Sequence, residues 1–244
     1  MKIAVAGGTG LVGSLVVDEV RERGHEAVVL ARSTGVDLTT GEGACRALEG
    51  VDVVIDTSNV DTLKRSESVA FFSAVTRHLL EAEQATGVGH HVVLSVVGAD
   101  RVDFGYYAGK VRQEEIALTG PIPATVLRST QFFEFAGQLL DRSGRWVIVP
   151  KMLTQPVAAR EVASALVDLA TDIEPGRTHV ISGPEQHWMH DLVKRLAEAR
   201  SKRRWIIRLR LIGAAGKGMV SGGLLPEGSD LNGKQTFDDW LETQ

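Results

Sequence analysis

Gly7-Gly8-Thr9-Gly10-Leu11-Val12-Gly13 follows the apolar run Lys2-Ile3-Ala4-Val5-Ala6 and opens an amphipathic stretch. The apolar positions of that stretch are Leu11, Val12, Leu15, Val16 and Val20; Asp18, Glu19, Arg21, Glu22 and Arg23 make a polar face, and Gly24 closes it. This is helical spacing. A glycine pattern alone is a weak signal, but between a buried strand and a helix it has the required context. The first glycine permits a tight turn, the second lets backbone N–H groups approach a pyrophosphate, and the third lets helix and strand pack closely. The helix N-terminus then favours the anion. Gly7, Thr9, Gly10, Leu11, Val12 and Gly13 are therefore expected to bind the phosphates of a dinucleotide.

Working outward, strands are expected at Lys2–Ala6, Ala27–Ala31, Asp52–Ile55, His91–Leu94 and Ala124–Leu127. Helices are expected at Leu11–Arg23, around Ala44–Leu48, and at Ser68–Thr86 and Tyr107–Leu118. Alternation of this kind implies right-handed βαβ crossovers, hence an α/β fold with a doubly wound parallel sheet, the Rossmann architecture. Beyond Arg128 the rhythm loosens. Helices near Phe132–Leu140, Arg160–Ala170 and His190–Ala199 remain, with strands at Trp146–Val149 and His179–Ile181. Residues 1–128 read as the dinucleotide-binding core and 129–244 as a small C-terminal α/β lobe packed on the same unit. Gly213–Gly233 holds seven glycines and reads as a loose, mobile loop near the substrate side.

Composition removes several classes. The 244 residues suit one large domain, and 27 basic against 31 acidic residues argue against a dedicated nucleic-acid binder. A single cysteine, Cys45, excludes an intrachain disulfide and a cysteine zinc cluster, and beside Ala44 and Ala47 it reads as a small buried packer. No run approaches the ~18 apolar residues of a membrane helix. The glycine-rich turn after six residues does not suit a secretory signal. A cytoplasmic protein with no membrane partner is expected. The seven histidines supply no set of three ligands at metal-site spacing, so no metal is expected. The run Arg200–Arg210 carries six positive charges and no acid; Glu227, Asp230, Asp238, Asp239 and Glu242 follow, so a solvated or internally balanced surface is expected.

The second strand ends Leu30-Ala31-Arg32-Ser33 without the acid that usually takes the ribose 2′-hydroxyl of NAD. Arg32 offers a guanidinium fork and Ser33 a hydroxyl, both suited to a 2′-phosphate, so NADP(H) is expected over NAD(H). Thr57, Ser58 and Asn59, after the strand ending at Asp56, are placed to line the nicotinamide half.

The Gly-x-x-Gly-x-x-Gly spacing with Thr9 inside it, together with Tyr106-Tyr107-Ala108-Gly109-Lys110, resembles the short-chain dehydrogenase/reductase superfamily in its extended and atypical branches. The closest resemblance is to the NmrA-like, NAD(P)H-binding group, through Leu94-Ser95-Val96-Val97-Gly98 and Arg128-Ser129-Thr130-Gln131-Phe132-Phe133. It implies that Lys110 holds the cofactor ribose and supports Tyr106, the proton donor. Ser95, eleven residues before Tyr106, is either catalytic or a lining residue for the cofactor. On a helix, residues four apart share a face, and the lysine can lower the phenol from its usual ~10. The resemblance places Asp37 and Leu38 at the adenine edge, and Val97, Thr130, Gln131 and Phe132 beside the substrate. Glu114 resembles an acid of NmrA-like members. At least two of Phe132, Phe133 and Phe135 should be core.

Three functions are carried forward. The leading one is an oxidoreductase that reduces a small carbonyl or quinone by hydride transfer. The second is an NmrA-like redox sensor that acts through a protein partner without turnover. The third is a nucleotide-sugar epimerase, placed last because the chain is short for that substrate domain. The long central helices, which often pair in this superfamily, allow a homodimer.

Overall fold

Lys2–Ala6 (β1) is apolar at every position after Lys2, and Ile3 to Ala6 are fully buried, as a strand covered on both faces requires. In the computed structural model, which describes residues 1–142, 144–172 and 175–244, it is followed by Leu11–Glu22 (α1), Glu26–Leu30 (β2), Ala44–Ala47 (α2), Val53–Asp56 (β3), Arg65–Thr86 (α3), His90–Val96 (β4), Gly105–Leu118 (α4) and Ala124–Ser129 (β5). Then come Phe133–Asp141 (α5), Trp146–Pro150 (β6), Leu153–Thr154 (β7), Ala159–Thr171 (α6), Thr178–Ser182 (β8), His187–Trp188 (β9) and Met189–Ala199 (α7). Trp205–Leu209 (β10), Gly213–Val220 (α8), Leu231–Asn232 (β11) and Phe237–Leu241 (α9) complete the order.

The main sheet has seven strands in the order β11-β8-β5-β4-β3-β1-β2. Neighbours β1–β2, β1–β3, β3–β4 and β8–β11 run parallel, with Ala6 opposite both Leu30 and Asp56. This is the doubly wound Rossmann sheet, with a smaller C-terminal α/β region beside it in sequence. By contacts the chain divides into two units, Met1–Ser95 with Phe104–Arg128 and Arg160–His179, and Val96–Asp103 with Ser129–Ala159 and Val180–Gln244.

In the first unit, Ala4, Leu30, Val36, Leu48, Val75 and Leu79 form part of one buried cluster. Helices α3 and α4 approach closely because Gly109 carries no side chain: a β-carbon there would run into Ser68 Oγ and come 2.7 Å from the Phe72 ring. Ser68 Oγ donates to the Tyr106 carbonyl at 2.8 Å across the same contact. Helix α3 is also tied to β4 by a buried pair, His91 Nδ1 to Glu83 Oε1 at 2.7 Å. Desolvation pulls the His91 imidazole down most strongly of any single influence, yet the charge and hydrogen bond of Glu83, with Asp56 further off, leave it raised. A histidine raised on folding stabilises fully below its unfolded value of ~6.5, and that stability is lost as pH rises through its folded value. Urea midpoints are expected to fall in the natural chain as pH rises from ~6.5 through the raised folded value, and Glu83→Gln to remove that fall. His90, lowered by burial and by His91, acts in the separate window below ~6.5.

In the second unit, Phe133, Phe237 and Trp240 pack with centroids 5.4–5.9 Å apart. A capping box of Thr236 and Asp239 starts α9. Strands β6 and β10 form a separate two-stranded parallel sheet, β7 and β9 an antiparallel one.

Three sequence expectations are corrected. Gly213–Gly233 is no loose loop, since α8 and β11 lie within it. A β-carbon on Gly216 would run into the Leu211 carbonyl and one on Gly218 would press Val102 at 3.1 Å, so these glycines serve packing. Cys45 is exposed rather than buried, because in the short α2 it is Ala44 that faces the core. Of the three phenylalanines only Phe133 is fully buried, while Phe132 and Phe135 are half-buried. The Arg200–Arg210 run is solvated, as expected: Arg203, Arg204, Arg208 and Arg210 are exposed, while Arg200 and Lys202 pair with Asp141.

Candidate functional site

The glycine turn closes through Gly10 N–H to the Gly7 carbonyl at 2.8 Å. Gly7 has φ of 71°, and a β-carbon there would press to 3.0 Å on the Thr57 carbonyl and 3.1 Å on Ser58. Gly13 is tighter: its β-carbon would run into the Gly7 carbonyl and stand 2.7 Å from Thr57 Oγ1. Thr57 in turn donates from Oγ1 to the Ala6 carbonyl at 2.7 Å, fixing the end of β3 against the turn. Gly10 caps α1 without a side chain, so the first-turn N–H groups of Leu11, Val12 and Gly13 have no acceptor within the helix. Thr9, Gly10 and Leu11 are exposed there. Bare N–H groups at a helix N-terminus, in a cradle that any β-carbon would fill, fit a dinucleotide diphosphate.

At the end of β2, Arg32 and Ser33 are exposed in a single 3₁₀ turn, Arg32–Thr34. Asp37 accepts from the Thr39 hydroxyl at 2.6 Å and the Thr39 N–H at 2.8 Å. These bonds hold its carboxyl below the usual carboxylate range, with a smaller contribution from the Arg32 charge. Leu38 is half-buried against the core cluster of the first unit.

Tyr106 and Lys110 lie on α4, Thr57–Asn59 follow β3, and Ser95 sits in β4, all in the first unit. The Tyr106 hydroxyl donates to Asn59 Oδ1 at 2.7 Å. Lys110 is buried, and its Nζ donates to the Leu94 carbonyl and to Gln113 Oε1, both at 2.9 Å, with the Ser58 carbonyl at 3.5 Å. Desolvation lowers the Lys110 ammonium to about 8, against the opposing pull of Asp56 and Glu114. The phenol moves the other way from expectation: desolvation, with a smaller push from Tyr107, raises Tyr106. Its ring packs edge-on to Phe72, centroids 5.8 Å apart, which contributes to that burial. Ser58 Oγ and Ser95 Oγ are buried without a hydrogen-bond partner.

Two functional residues were not found from sequence. Gln113 Nε2 donates to Asp56 Oδ2 at 2.7 Å, so Gln113 links the Lys110 ammonium to a buried carboxylate. Asp56 Oδ1 also accepts from Ser58 N–H at 2.8 Å. The available signal was spacing, since Gln113 stands three residues after Lys110 on one helical face. Glu114 has a different job. Arg128 donates to it through Nε at 3.0 Å and Nη2 at 2.6 Å, binding α4 to β5. Glu114→Gln is expected to cost about 1.5–3 kcal/mol, read from the denaturant midpoint, because the nearly buried carboxylate gives up its charge-assisted bonds from Arg128.

The residues assigned to substrate fall in the second unit. Val97 donates its N–H to the Ser129 carbonyl at 2.9 Å. Thr130 Oγ1 donates to the Gln155 carbonyl at 2.7 Å, and Gln131 Oε1 accepts from Thr154. Phe132 caps α5 and bridges to Val157. Among the described residues no group of three or more His, Cys, Asp or Glu could hold a metal ion, and no helix is long and apolar enough to cross a membrane.

Residues 3–125 match the model of the NAD dependent epimerase/dehydratase family. No curated protein matches the sequence. Among solved structures, the chain is similar to a short-chain dehydrogenase/reductase superfamily protein from Agrobacterium tumefaciens with bound NAD, at 18% identity and TM-score 0.73, over 100% of this chain and 95% of that one. It is similar to the UDP-glucose 4-epimerase of Thermus thermophilus in complex with NAD, at 20% identity and TM-score 0.72, over 98% and 99%. It is also similar to an NADPH-dependent quinone oxidoreductase from Escherichia coli, at 17% identity and TM-score 0.73, over 99% of both chains. The family matched is the epimerase/dehydratase one and not specifically the NmrA-like group.

The expected preference for NADP(H) is overturned. The matching family is the NAD-dependent one, and the similar structures are more often NAD complexes. At the tip of β2 the exposed Arg32 does not stand alone: a carboxylate, Asp37, lies near enough for the Arg32 charge to contribute to its lowered pKa, so the strand end presents an anion as well as a cation.

Proposed function

The chain belongs to the NAD dependent epimerase/dehydratase family, and from that premise we propose that it is an NAD(H)-dependent oxidoreductase acting at a carbon that bears a carbonyl or hydroxyl. The carrying observation is the Tyr106–Lys110 pair, with Tyr106 hydrogen-bonded to Asn59 and Lys110 buried beside Ser58 and Leu94. Gly7, Thr9, Gly10, Leu11, Val12 and Gly13 would hold the diphosphate. Asp37 and Leu38, with Arg32 and Ser33 beside them, would border the adenosine half. Thr57, Ser58 and Asn59 would line the nicotinamide half. When bound, the nicotinamide supplies or accepts the hydride.

The protein's own part is proton management. Tyr106, raised by its surroundings, stays protonated at neutral pH and can donate its phenolic proton to a carbonyl oxygen as the carbon gains hydride. Lys110, charged below about 8, stabilises the phenolate so formed and holds the ribose. Ser95, with its free buried hydroxyl, supports the carbonyl oxygen or lines the cofactor. Val97, Thr130, Gln131 and Phe132 are proposed as substrate neighbours.

The family favours one second reading, an epimerase that takes a hydride and returns it to the same sugar. Chain length no longer argues against it, since the alignment spans 99% of the Thermus thermophilus epimerase. The test is NADH oxidation against quinones, aldehydes and ketones, beside interconversion of UDP-sugars without net NADH change. Net oxidation supports the reductase, and interconversion alone selects the epimerase. Tight NADH binding with neither activity would return the protein to a sensor.

A further inference from the structure

Strands β6 and β10 make a parallel ribbon in which Trp205 lies opposite Trp146, Ile207 opposite Ile148 and Leu209 opposite Pro150. Alternate side chains of a strand share a face. One face therefore carries Trp146, Ile148, Trp205, Ile207 and Leu209, all exposed, with the indoles 59% and 58% accessible and stacked 5.8 Å apart. On the reverse face Val147 and Val149 are fully buried, and Arg208 stands on that side of β10. Arg204 and Arg210, just beyond the strand ends, continue the alternation of Arg208. Beside them a groove of about 600 Å³ is lined by four basic residues, Lys194, Lys202, Arg203 and Arg204, against a single acid, Glu198.

Two further facts define what this surface lacks. Strand β10 has no strand neighbour other than β6 among the described residues, so its outer edge is open. Trp205 N–H donates to the Arg145 carbonyl and the Leu209 carbonyl accepts from Lys151, so the backbone of the odd-numbered residues faces β6. The N–H and C=O groups of Ile206 and Arg208 face the open edge. The charge is also predominantly basic, with Glu198 the one acid in the groove lining. No acid occurs from Ala199 to Pro226 or from Arg142 to Arg160. Arg203, Arg204 and Arg210 have no ion-pair partner among the described residues, unlike Arg200 and Lys202, which share Asp141.

We propose that the open edge of β10 receives an extended segment of another protein in which acidic and apolar side chains alternate. Strand addition satisfies the free backbone groups. The alternation sends the segment's apolar side chains onto the Trp205–Ile207–Leu209 face and its carboxylates toward Arg204, Arg208 and the basic groove. A second copy is the wrong partner: edge-to-edge pairing about a twofold sets two rows of arginines against each other. A lipid surface would use the apolar face and leave the edge and the groove unanswered. An edge protected only by its charge would not present two stacked indoles to water.

The test is titration of a labelled, capped peptide alternating glutamate and valine into the full chain, followed by fluorescence anisotropy. A lysine–valine peptide and a glutamate-block, valine-block peptide are the comparators. Saturable binding by the alternating acidic peptide alone is expected, weakened about tenfold or more in Arg204→Glu/Arg208→Glu, with NADH affinity and circular dichroism unchanged. Absence of saturable binding, or equal binding of the block peptide, overturns the proposal. So does a dimer in sedimentation, or binding to phosphatidylserine vesicles in place of the peptide, that the same double substitution abolishes.

Discussion

Gly13→Val is expected to remove measurable NADH binding in a fluorescence titration, a loss of about 100-fold or more. The β-carbon alone would run into the Gly7 carbonyl and crowd Thr57 Oγ1, and neither is the far end of a flexible side chain. Relief requires α1 to move away from the turn, which carries the N–H groups of Leu11 and Val12 out of register with Gly7 and Gly10. Folding should weaken by only about 1–3 kcal/mol, as overpacking of one helix–turn contact does. The separation of the two effects is the informative part. A variant that unfolds cooperatively near the natural midpoint but still binds NADH tightly would show that the cofactor lies elsewhere.

Tyr106→Phe carries the second large effect. On a substrate confirmed by the NADH assay, turnover should fall by about 10²–10⁴, the usual contribution of a positioned proton donor, or about 3–5 kcal/mol of barrier. NADH affinity should stay within about twofold, because the ring keeps its edge contact with Phe72 and only the bond to Asn59 is lost. The pH profile adds an independent reading. In the reducing direction the natural enzyme should lose rate as pH rises through about 8, where Lys110 gives up its charge. The phenol, displaced upward, stays protonated across that range. Lys110→Met should abolish that limb of the profile. Unchanged turnover in Tyr106→Phe would remove Tyr106 from the chemistry.

The first half of the fold is readable because its signals are local. Each strand from β1 to β5 is a short apolar run, each crossover is bounded by glycine or a charged face, and the spacing of Gly7, Gly10 and Gly13 names its own use. The remainder depends on distant partners. Helix α8 looks like a loop because glycine disfavours helices, yet the space at Gly216 and Gly218 is set by Leu211 and Val102. Strand β10 hides in a basic run whose period of two takes meaning only once β6 lies beside it. Asp56 and Gln113 are ordinary polar residues in sequence, and only the fold buries them and points them at Lys110. The cofactor preference is hidden for a similar reason: that Asp37 lies near Arg32 is set by the fold of the loop after β2.

The first unit is assembled from three stretches separated in sequence, and its last piece ends only at His179. Arg23 of the α1 end is bound to Asp168 and to Ser164 Oγ, the latter at 2.7 Å, and Val126 N–H to the Arg177 carbonyl at 3.0 Å. During synthesis, therefore, a ribosome that has delivered the whole dinucleotide loop, Tyr106 and Lys110 has not yet delivered the residues that bind the end of α1. The nascent chain must keep Val162, Leu166 and Val167, and the apolar surface that they cover, apart for tens of residues. A gene cut after codon 128, at the boundary that the sequence suggests, should yield insoluble protein, and production of a minimal cofactor-binding fragment should start from a permuted gene that restores the 160–179 segment.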